Sequence, residues 1–281
     1  EHATTGGSIA KVSRPDFVKN VCHVMNRQEG DDLPVSTWKG IEDGTFPSGT
    51  SQYERPSAAI MIPEWIPENC IGCNQCGVVC PHAAIRPFLV TEDEAANAPE
   101  GFIVKDFRGP VKGLKYRIVV DPEDCYGCGI CANTCPAPKK ALVMQPAETE
   151  LPKQNLWDYA KSLPARDNPL GKKNLRSAMF EPTYFEFSGA CAGCGETPYI
   201  NMVTRLFGDR MMISNATGCS SIYGASSPSM PYTKNSKGQG PAWANSLFED
   251  NAEYGLGMHL GEAKLRSRLT EKLEDKPRSE E

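Results

Sequence analysis

Two short cysteine runs constrain the fold of this 281-residue chain more than any other feature, and together they hold eight of its twelve cysteines. Both runs have the spacing C-x2-C-x2-C-x3-C-P, at residues 70–81 and 125–136. They superpose at a constant offset of 55 residues (125 − 70 = 55). The four residues that precede each run are also similar: Ile66-Pro67-Glu68-Asn69 before the first and Asp121-Pro122-Glu123-Asp124 before the second. The chain therefore contains an internal duplication.

This spacing is typical of proteins that hold two [4Fe–4S] clusters. Three closely spaced cysteines let one tight loop surround most of a cubane cluster, and Gly72, Gly127 and Gly129 permit the close backbone approach. We expect the fourth cysteine to lie past the loop, at the start of a helical turn, and to point at the other cluster. The predicted ligand sets are Cys70, Cys73, Cys76 and Cys135 for cluster 1, and Cys125, Cys128, Cys131 and Cys80 for cluster 2.

Two other uses of cysteine fit the pattern less well. Structural zinc prefers two separated cysteine pairs around one tetrahedral ion, whereas each run here has four cysteines within eleven residues. Disulfide frameworks belong to small secreted domains, and no basic and apolar leader is visible in this sequence. The spacing therefore favours iron–sulfur clusters over both alternatives.

Hydrophobic patterns around the cysteine runs predict a ferredoxin-like α+β domain. Strands are expected to enter the two loops over Ala58–Ile62 and Lys115–Val120, and to leave them over Ile85–Val90 and Ala141–Met144. Between the repeats lies a polar, acid-rich insert, Thr91–Gly113, which we expect to be an ordered surface excursion. After the second repeat, the proline-rich and charged stretch 145–174 reads as a linker.

Three further cysteines predict a metal site that this chain does not complete. Cys191 and Cys194 form a C-x2-C pair, and Cys219 follows. The pair alone fits half a zinc site, a redox dithiol or half an iron–sulfur site equally well. The remaining Cys22 lies in a short helical pattern with an apolar face, where a buried structural cysteine is the better interpretation. A fourth thiolate is therefore absent.

The two runs, together with segments 188–199, 216–224 and 238–250, resemble pyruvate:ferredoxin (flavodoxin) oxidoreductase. The resemblance covers essentially the whole chain, and it implies an internal fragment of a longer enzyme. It divides the chain into the end of a preceding domain (1–8), a small connecting domain (9–47), the ferredoxin-like domain with two [4Fe–4S] clusters (48–165) and the first part of an α/β thiamine-diphosphate-binding domain (166–281).

The resemblance implies oxidative decarboxylation of pyruvate with coenzyme A, with the electrons leaving to ferredoxin or flavodoxin. It also implies that Cys191, Cys194 and Cys219 hold a third cluster, and that Glu196, Thr217, Gly218 and Cys219 contact thiamine diphosphate. The segments expected to bind Mg2+ and the diphosphate, the catalytic Glu and the substrate-binding Arg are not found in this chain. The fragment alone is therefore expected to be catalytically incomplete, with the remaining domains and a second copy of the enzyme as partners.

Composition excludes some functions and leaves rivals open. The net charge of −5 argues against a basic surface that would bind nucleic acid. No apolar run approaches the length of a membrane span. Twelve thiols favour a reducing compartment, the cytoplasm of an anaerobe or a hydrogenosome-like organelle.

Three alternative functions remain: a stand-alone two-cluster electron carrier, an enzyme for another 2-oxoacid and a zinc-binding module. Four leucines in 260–276 predict an amphipathic C-terminal helix, which would either face a missing part of the enzyme or fold back as ordinary core, and such a stripe favours the second.

Overall fold

A computed structural model describes residues 14–225 and 229–275 of the chain. The predicted end of a preceding domain, 1–8, lies outside these residues. The strands are β1 (Met61–Trp65), β2 (Ile85–Val90), β3 (Lys105–Asp106), β4 (Lys115–Val120), β5 (Leu142–Pro146), β6 (Met212–Ala216) and β7 (Ala242–Ser246). The α-helices are α1 (His23–Asn26), α2 (Gln75–Val78), α3 (Glu92–Ala96), α4 (Ile130–Thr134), α5 (Ala147–Glu150), α6 (Gln154–Ser162), α7 (Leu175–Ala178), α8 (Thr197–Phe207), α9 (Cys219–Ala225) and α10 (Asn251–Glu274).

The duplicated region forms two small antiparallel sheets. One has the order β2-β4-β3 and the other pairs β1 with β5. The predictions for β2 and β4 are confirmed residue for residue, whereas β1 begins three residues later than expected and β5 spans Leu142–Pro146. Because β1 and β5 pair with each other from Met61 opposite Pro146 to Trp65 opposite Leu142, each strand sets the limits of its partner.

Both cysteine loops enter their short helices through the same backbone conformation. Asn74 and Gly129, which are equivalent in the repeat (129 − 74 = 55), are left-handed with φ of 63° and 73° and directly precede α2 and α4. The fourth cysteines differ from the prediction. Cys80 and Cys135 lie just after the C-terminal ends of these helices and not at the start of a helical turn, because Pro81 and Pro136 follow them and a residue before proline is disfavoured in the helical conformation.

The insert between the repeats is ordered, as predicted, and it also supplies core residues. Thr91 and Glu94 form a capping box at the start of α3, in which each side chain bonds the other residue's backbone N–H. Farther along, β3 adds to the edge of β4, and Phe102 and Phe107 are buried. The insert is therefore part of the packed domain.

The stretch read as a linker folds in its first half. Helix α6 buries Leu156, Trp157 and Ala160 against Val90 and Val119 of the sheet. The prediction was wrong here because prolines and charges outnumber the apolar residues in the window, while three apolar residues on one helix face are enough to join the core.

The C-terminal part places strands β6 and β7 side by side and parallel, with α9 and α10 packed against β6. The leucines of α10 remain exposed, by 58 % at Leu260 and 65 % at Leu265, so this helix does not fold back as core. The prediction fails because α10 meets little of the chain beyond β6. Lys276, the end of the predicted helix, lies outside the described residues. Within residues 14–225 and 229–275, no helix has both the length and the apolar character needed to cross a bilayer.

Candidate metal centres

The structure sorts the eight repeat cysteines into two cavities. Cys70, Cys73, Cys76 and Cys135 line one cavity, which we call the first site. Cys80, Cys125, Cys128 and Cys131 line another, which we call the second site. Each cavity thus combines three cysteines of one repeat with the fourth cysteine of the other, which is the exchange that the spacing predicts.

The thiols in each cavity lie close together, and all eight of these cysteines are partly or fully buried. Burial raises the pKa of the Cys76 thiol well above its usual range, and the neighbouring sulfurs of Cys131, Cys70 and Cys73 raise it further. Burial also raises the pKa of Cys125 to about 12, although a hydrogen bond from the Gly127 N–H acts in the opposite direction. Such cavities stabilise thiolates only when a positively charged partner binds them.

The donor sets fit iron–sulfur clusters. Each site offers four cysteine sulfurs around a cavity, the donor set of a [4Fe–4S] cluster. Residues 14–225 and 229–275 contain no group of three or more His, Cys, Asp or Glu side chains arranged to hold a single metal ion. Apolar side chains complete the walls, among them Ile118 and Leu142 at the first site and Ile130 and Val120 at the second.

The loop that carries Cys191 and Cys194 packs against the second site. A Cβ atom built on Gly193 would lie 3.7 Å from the Cβ of Cys128 and 3.4 Å from Cδ1 of Ile130. These are ordinary van der Waals distances, so the loop backbone lies beside the wall of the second site, and the φ of +75° at Gly193 is the feature that favours glycine there.

His82 forms a second link between the same two regions. Its Nε2 donates to the Ala190 carbonyl at 2.8 Å, and its ring stacks on Tyr126 with centroids 4.0 Å apart. Burial lowers the pKa of His82, although the hydrogen bond to Ala190 acts in the opposite direction, so the ring is neutral at neutral pH. His82 follows Cys80 and Pro81 and lies in a turn on the wall of the second site.

The third cysteine group is more open. Cys191 and Cys219 are exposed, and Cys194 is half-buried before α8. Burial would raise the pKa of Cys194, but hydrogen bonds from the backbone N–H groups of Thr197 and Glu196 lower it below the usual value. This thiol therefore lies at the N-terminal end of α8, where backbone donors stabilise a thiolate. The predicted burial of Cys22 is confirmed at 1 % exposure, and burial raises its pKa to about 11.

The residues expected to contact thiamine diphosphate lie at two element boundaries. Glu196 directly precedes α8, while Thr217 and Gly218 lie between β6 and α9. Tyr223 lies one turn into α9, and its pKa is raised by burial and then by the neighbouring Glu196 carboxylate. The side chain of Thr217 also accepts a hydrogen bond from Asn245 at 3.3 Å, which ties this loop to β7.

Sequence reasoning missed the residues that surround the first site from a distance. Lys105, Lys140 and Arg176 donate hydrogen bonds to main-chain carbonyls of the loops that carry its cysteines. Lys105 belongs to the insert and Arg176 follows the supposed linker, 104 residues from its acceptor. No local pattern signals such contacts, because they depend on how distant segments pack.

Comparison with known proteins supports the iron–sulfur interpretation. A protein family described as "4Fe-4S dicluster domain" matches residues 69–141. A second family, described as "Domain of unknown function", matches residues 8–57.

Longer similarities extend over most of the chain. It is 59 % identical over 255 residues to a pyruvate-flavodoxin oxidoreductase of Enterobacter agglomerans, covering 91 % of this chain and 22 % of that protein. It is 52 % identical over 264 residues to the Klebsiella pneumoniae pyruvate-flavodoxin oxidoreductase, covering 94 % and 22 %. It is 54 % identical over 258 residues to the Moorella thermoacetica pyruvate:ferredoxin oxidoreductase, covering 91 % and 22 %. The chain spans about a fifth of the length of these curated relatives, and it matches a fragment of pyruvate:ferredoxin (flavodoxin) oxidoreductase.

Proposed function

We propose that this chain is the electron-transfer portion of a pyruvate:ferredoxin (flavodoxin) oxidoreductase. The observation that carries the proposal is the sorting of eight cysteines into two cavities of four, in a chain that matches oxidoreductases along nine-tenths of its length. The first and second sites would each hold one [4Fe–4S] cluster, and each cluster would accept and release one electron at a time. In this role the chain takes electrons from the decarboxylation of pyruvate with coenzyme A.

A third cluster would be held by Cys191, Cys194 and Cys219, with its fourth thiolate from a part of the enzyme other than this chain. The support is local, since the lowered pKa of Cys194 and the exposure of Cys191 and Cys219 leave these sulfurs available to a metal. Because the 191–194 loop touches Cys128, this third site would neighbour the second site. The order of the relay would then be third site, second site, first site and external carrier.

Residues 166–281 would form the first part of the thiamine-diphosphate-binding domain. The parallel pair β6–β7, followed by the long helix α10, supports an α/β architecture there. Glu196, Thr217, Gly218 and Cys219 would contact the cofactor, which with Mg2+ supplies the chemistry of 2-oxoacid decarboxylation. Residues 9–47 would be the connecting domain and 48–165 the ferredoxin-like domain.

The partners in this proposal are ferredoxin or flavodoxin, the remaining domains of the enzyme and a second copy of it. The names of the relatives support the two carriers. An anaerobe's cytoplasm or a hydrogenosome-like compartment would keep the thiols reduced. A relative from Euglena gracilis, 49 % identical over 255 residues and covering 90 % of this chain and 14 % of that protein, is named a mitochondrial pyruvate dehydrogenase [NADP(+)].

Anaerobic measurement of iron and acid-labile sulfide per chain, with EPR after dithionite reduction, tests the proposal. We expect about eight irons, and the coupled EPR signal of two neighbouring reduced clusters. About twelve irons would mean that the third site closes within this chain or between copies. In that case Cys219→Ala should return the count to about eight. Cys22→Ala should do the same if Cys22 supplies the fourth thiolate, and should leave about twelve irons if another group supplies it. Zinc without sulfide would contradict the proposal.

A further inference from the structure

Two lysines hold the main chain at two places beside the first site. The Nζ of Lys105 donates to the carbonyls of Pro67, at 2.8 Å, and Cys70, at 2.5 Å. The Nζ of Lys140 donates to the Cys135 carbonyl at 2.8 Å and to a second carbonyl two residues earlier at 2.9 Å. Both ammonium groups therefore lie next to residues that carry the cysteine sulfurs of this site.

A third cation, Arg176, reaches the same loop from α7. Its Nε donates to the Gly72 carbonyl at 2.9 Å. The carbonyl of Arg176 in turn accepts from the Asn74 side chain at 2.8 Å, and Asn74 accepts from the Tyr116 hydroxyl at 2.8 Å. Asn74 and Tyr116 line the first site, so the main chain of Arg176 is held by the wall of the cavity while its guanidinium bonds Gly72.

The charges of these three cations are not cancelled by neighbouring carboxylates. In the described part of the chain, Lys105, Lys140 and Arg176 form no ion pair with an Asp or Glu side chain. No carboxylate partner therefore offsets the effect of these cations on the electrostatic potential of the first site.

The repeat lets the second site serve as an internal comparison. The carbonyls equivalent to those of Pro67, Cys70 and Gly72 belong to Pro122, Cys125 and Gly127, and the equivalent of the Cys135 carbonyl is that of Cys80. Across residues 14–225 and 229–275, no Lys or Arg side chain is hydrogen-bonded to any of these four equivalents.

Acidic residues take the place of cations beside the second site. Asp121, Glu123 and Asp124 are buried directly before Cys125. The cation beside them, Arg55, is itself paired with Glu123 at 2.8 Å and with Asp158 at 3.0 Å, so it brings no uncompensated positive charge. Within the described residues, the two sites thus have the same ligands, but only the first has cations that donate to the main chain of its cysteine loops without a carboxylate partner.

A cluster held by four thiolates is negatively charged, and reduction adds one further negative charge. Nearby cations stabilise the reduced state, and hydrogen bonds and charges around a cluster are recognised determinants of its potential. We propose that Lys105, Lys140 and Arg176 make the first site the one that holds the electron when the two-site pair carries a single electron. This inference rests on the proposed function, and it deepens it by giving the relay a direction.

The direction agrees with the packing. The second site contacts the loop of Cys191 and Cys194, whereas the first site meets the C-terminal part through Arg176. An electron that enters at the second site therefore moves downhill to the first site. The three cations act by positioning charge, and none of them is a ligand.

The test follows where one electron resides in the full chain with its clusters. The protein, labelled at cysteine Cβ, is reduced with half an equivalent of dithionite, which supplies one electron per chain. The hyperfine-shifted cysteine signals in NMR then give the occupancy of each site, and Cys73→Ser and Cys128→Ser assign the signals. We expect most of the electron at the first site in the unmodified chain.

Neutralising one cation should lower the ratio of first-site to second-site occupancy about three- to tenfold. The attraction between one cation and the added electron at this separation shifts the equilibrium between the two sites by about that factor. The variants are Lys105→Gln, Lys140→Gln, Arg176→Gln and the three combined. Lys140→Arg keeps the charge and should restore the ratio. Lys139→Gln removes a neighbouring exposed charge that has no hydrogen bond to these carbonyls, and should change the ratio less than twofold.

Iron, sulfide and the number of spins are measured on every sample. A failure of the proposed electron-transfer function can then be distinguished from a failure of the inference about the three cations. A chain without iron would contradict the proposed function. A full complement of iron with an unchanged ratio in the triple variant, or with the electron mainly at the second site of the unmodified chain, would overturn the inference alone. If the triple variant loses iron, Lys140→Gln decides, because that side chain is exposed and its loss disturbs the fold least.

Discussion

At the scale of single residues, Glu186 shows how a buried charge joins two parts of the chain. Its carboxylate accepts from Arg86 at 2.5 Å, on β2, and lies 3.3 Å from the ammonium of Lys161, on α6. Burial alone would raise the pKa of Glu186, but the two cations outweigh burial and hold the pKa at about 2. A buried pair of this kind is costly to break, because the remaining cations lose their partner.

Replacing Glu186 with glutamine should therefore destabilise the chain by about 3–5 kcal/mol near pH 7. The folded pKa of about 2 lies below the usual 4.5, so this carboxylate contributes stability above pH 4.5 that is lost as the pH falls toward 2. The difference in urea midpoint between the two proteins should be constant from pH 8 to 6 and should shrink below 4.5. Glu92→Gln, at an exposed position, is the control, and equal effects of both variants would contradict the argument.

Arg117 is a buried cation without a carboxylate partner in the described residues. Its guanidinium donates to the Ile103 carbonyl at 2.6 Å and the Gly101 carbonyl at 3.1 Å, and lies 4.6 Å from the ring centroid of Phe102. Burial lowers the pKa of Arg117 to about 10. These contacts anchor the insert between the repeats to β4.

We expect Arg117→Met to keep the packing of the side-chain stem and to release the insert, because two carbonyls lose their donor at a cost of about 1–3 kcal/mol each where they stay buried. Hydrogen exchange measured by mass spectrometry should speed up over 98–108 and remain unchanged in β5. Arg117→Lys, which retains a charge and one donor, should show a smaller increase. Uniform exchange in all three proteins would rule out this anchoring role.

At the scale of elements, the turn after Cys80 is fastened to the loop before Cys191 by two hydrogen bonds. The N–H of Phe187 donates to the His82 carbonyl at 2.9 Å, and the His82 ring donates to the Ala190 carbonyl at 2.8 Å. Both regions are buried around these atoms. The ferredoxin-like region and the thiol loop therefore meet along a fixed contact.

His82→Phe should keep the stacking on Tyr126 and remove the hydrogen bond to Ala190. Because the Ala190 carbonyl would lose its donor within a buried contact, we expect a loss of about 1–3 kcal/mol, concentrated in the loop. Faster amide exchange over 187–194, with the amides of β2 and β4 unaffected, would show this. Tyr126→Phe keeps the stacking on His82 and the hydrogen bond from His82 to Ala190, and it serves as the matched control. Equal protection of the loop in both variants would argue against the link.

The sequence predicted those elements that its local pattern determines. Strands β2 and β4 and both sets of cysteines follow from alternation and spacing, and the structure brings each set together. Helix α6 was missed because only its packing against Val90 and Val119 distinguishes it from a linker. The cations of the first site were missed for a similar reason, since the contact between Arg176 and Gly72 joins residues about a hundred positions apart.

At the scale of the whole molecule, the exchange of fourth cysteines makes the two halves of the repeat depend on each other. Cys80 leaves the first loop and lines the second site, and Cys135 leaves the second loop and lines the first site. Helices α2 and α4, which precede these two cysteines, also pack against each other. Because each site takes residues from both repeats, neither half of the repeat contains a complete site.

Removing one fourth cysteine should therefore damage the site built mainly by the other repeat. In Cys135→Ala we expect the amides of 70–76 to lose protection from exchange, while 125–131 keeps it, and in Cys80→Ala we expect the reverse. Each variant should retain about half of the iron of the two-site pair. Cys22→Ala, which removes a buried cysteine outside both sites, controls for a general effect of losing a thiol. If Cys135→Ala exposed 125–131 instead, the sites would be built within single repeats, and the crossed arrangement would be wrong.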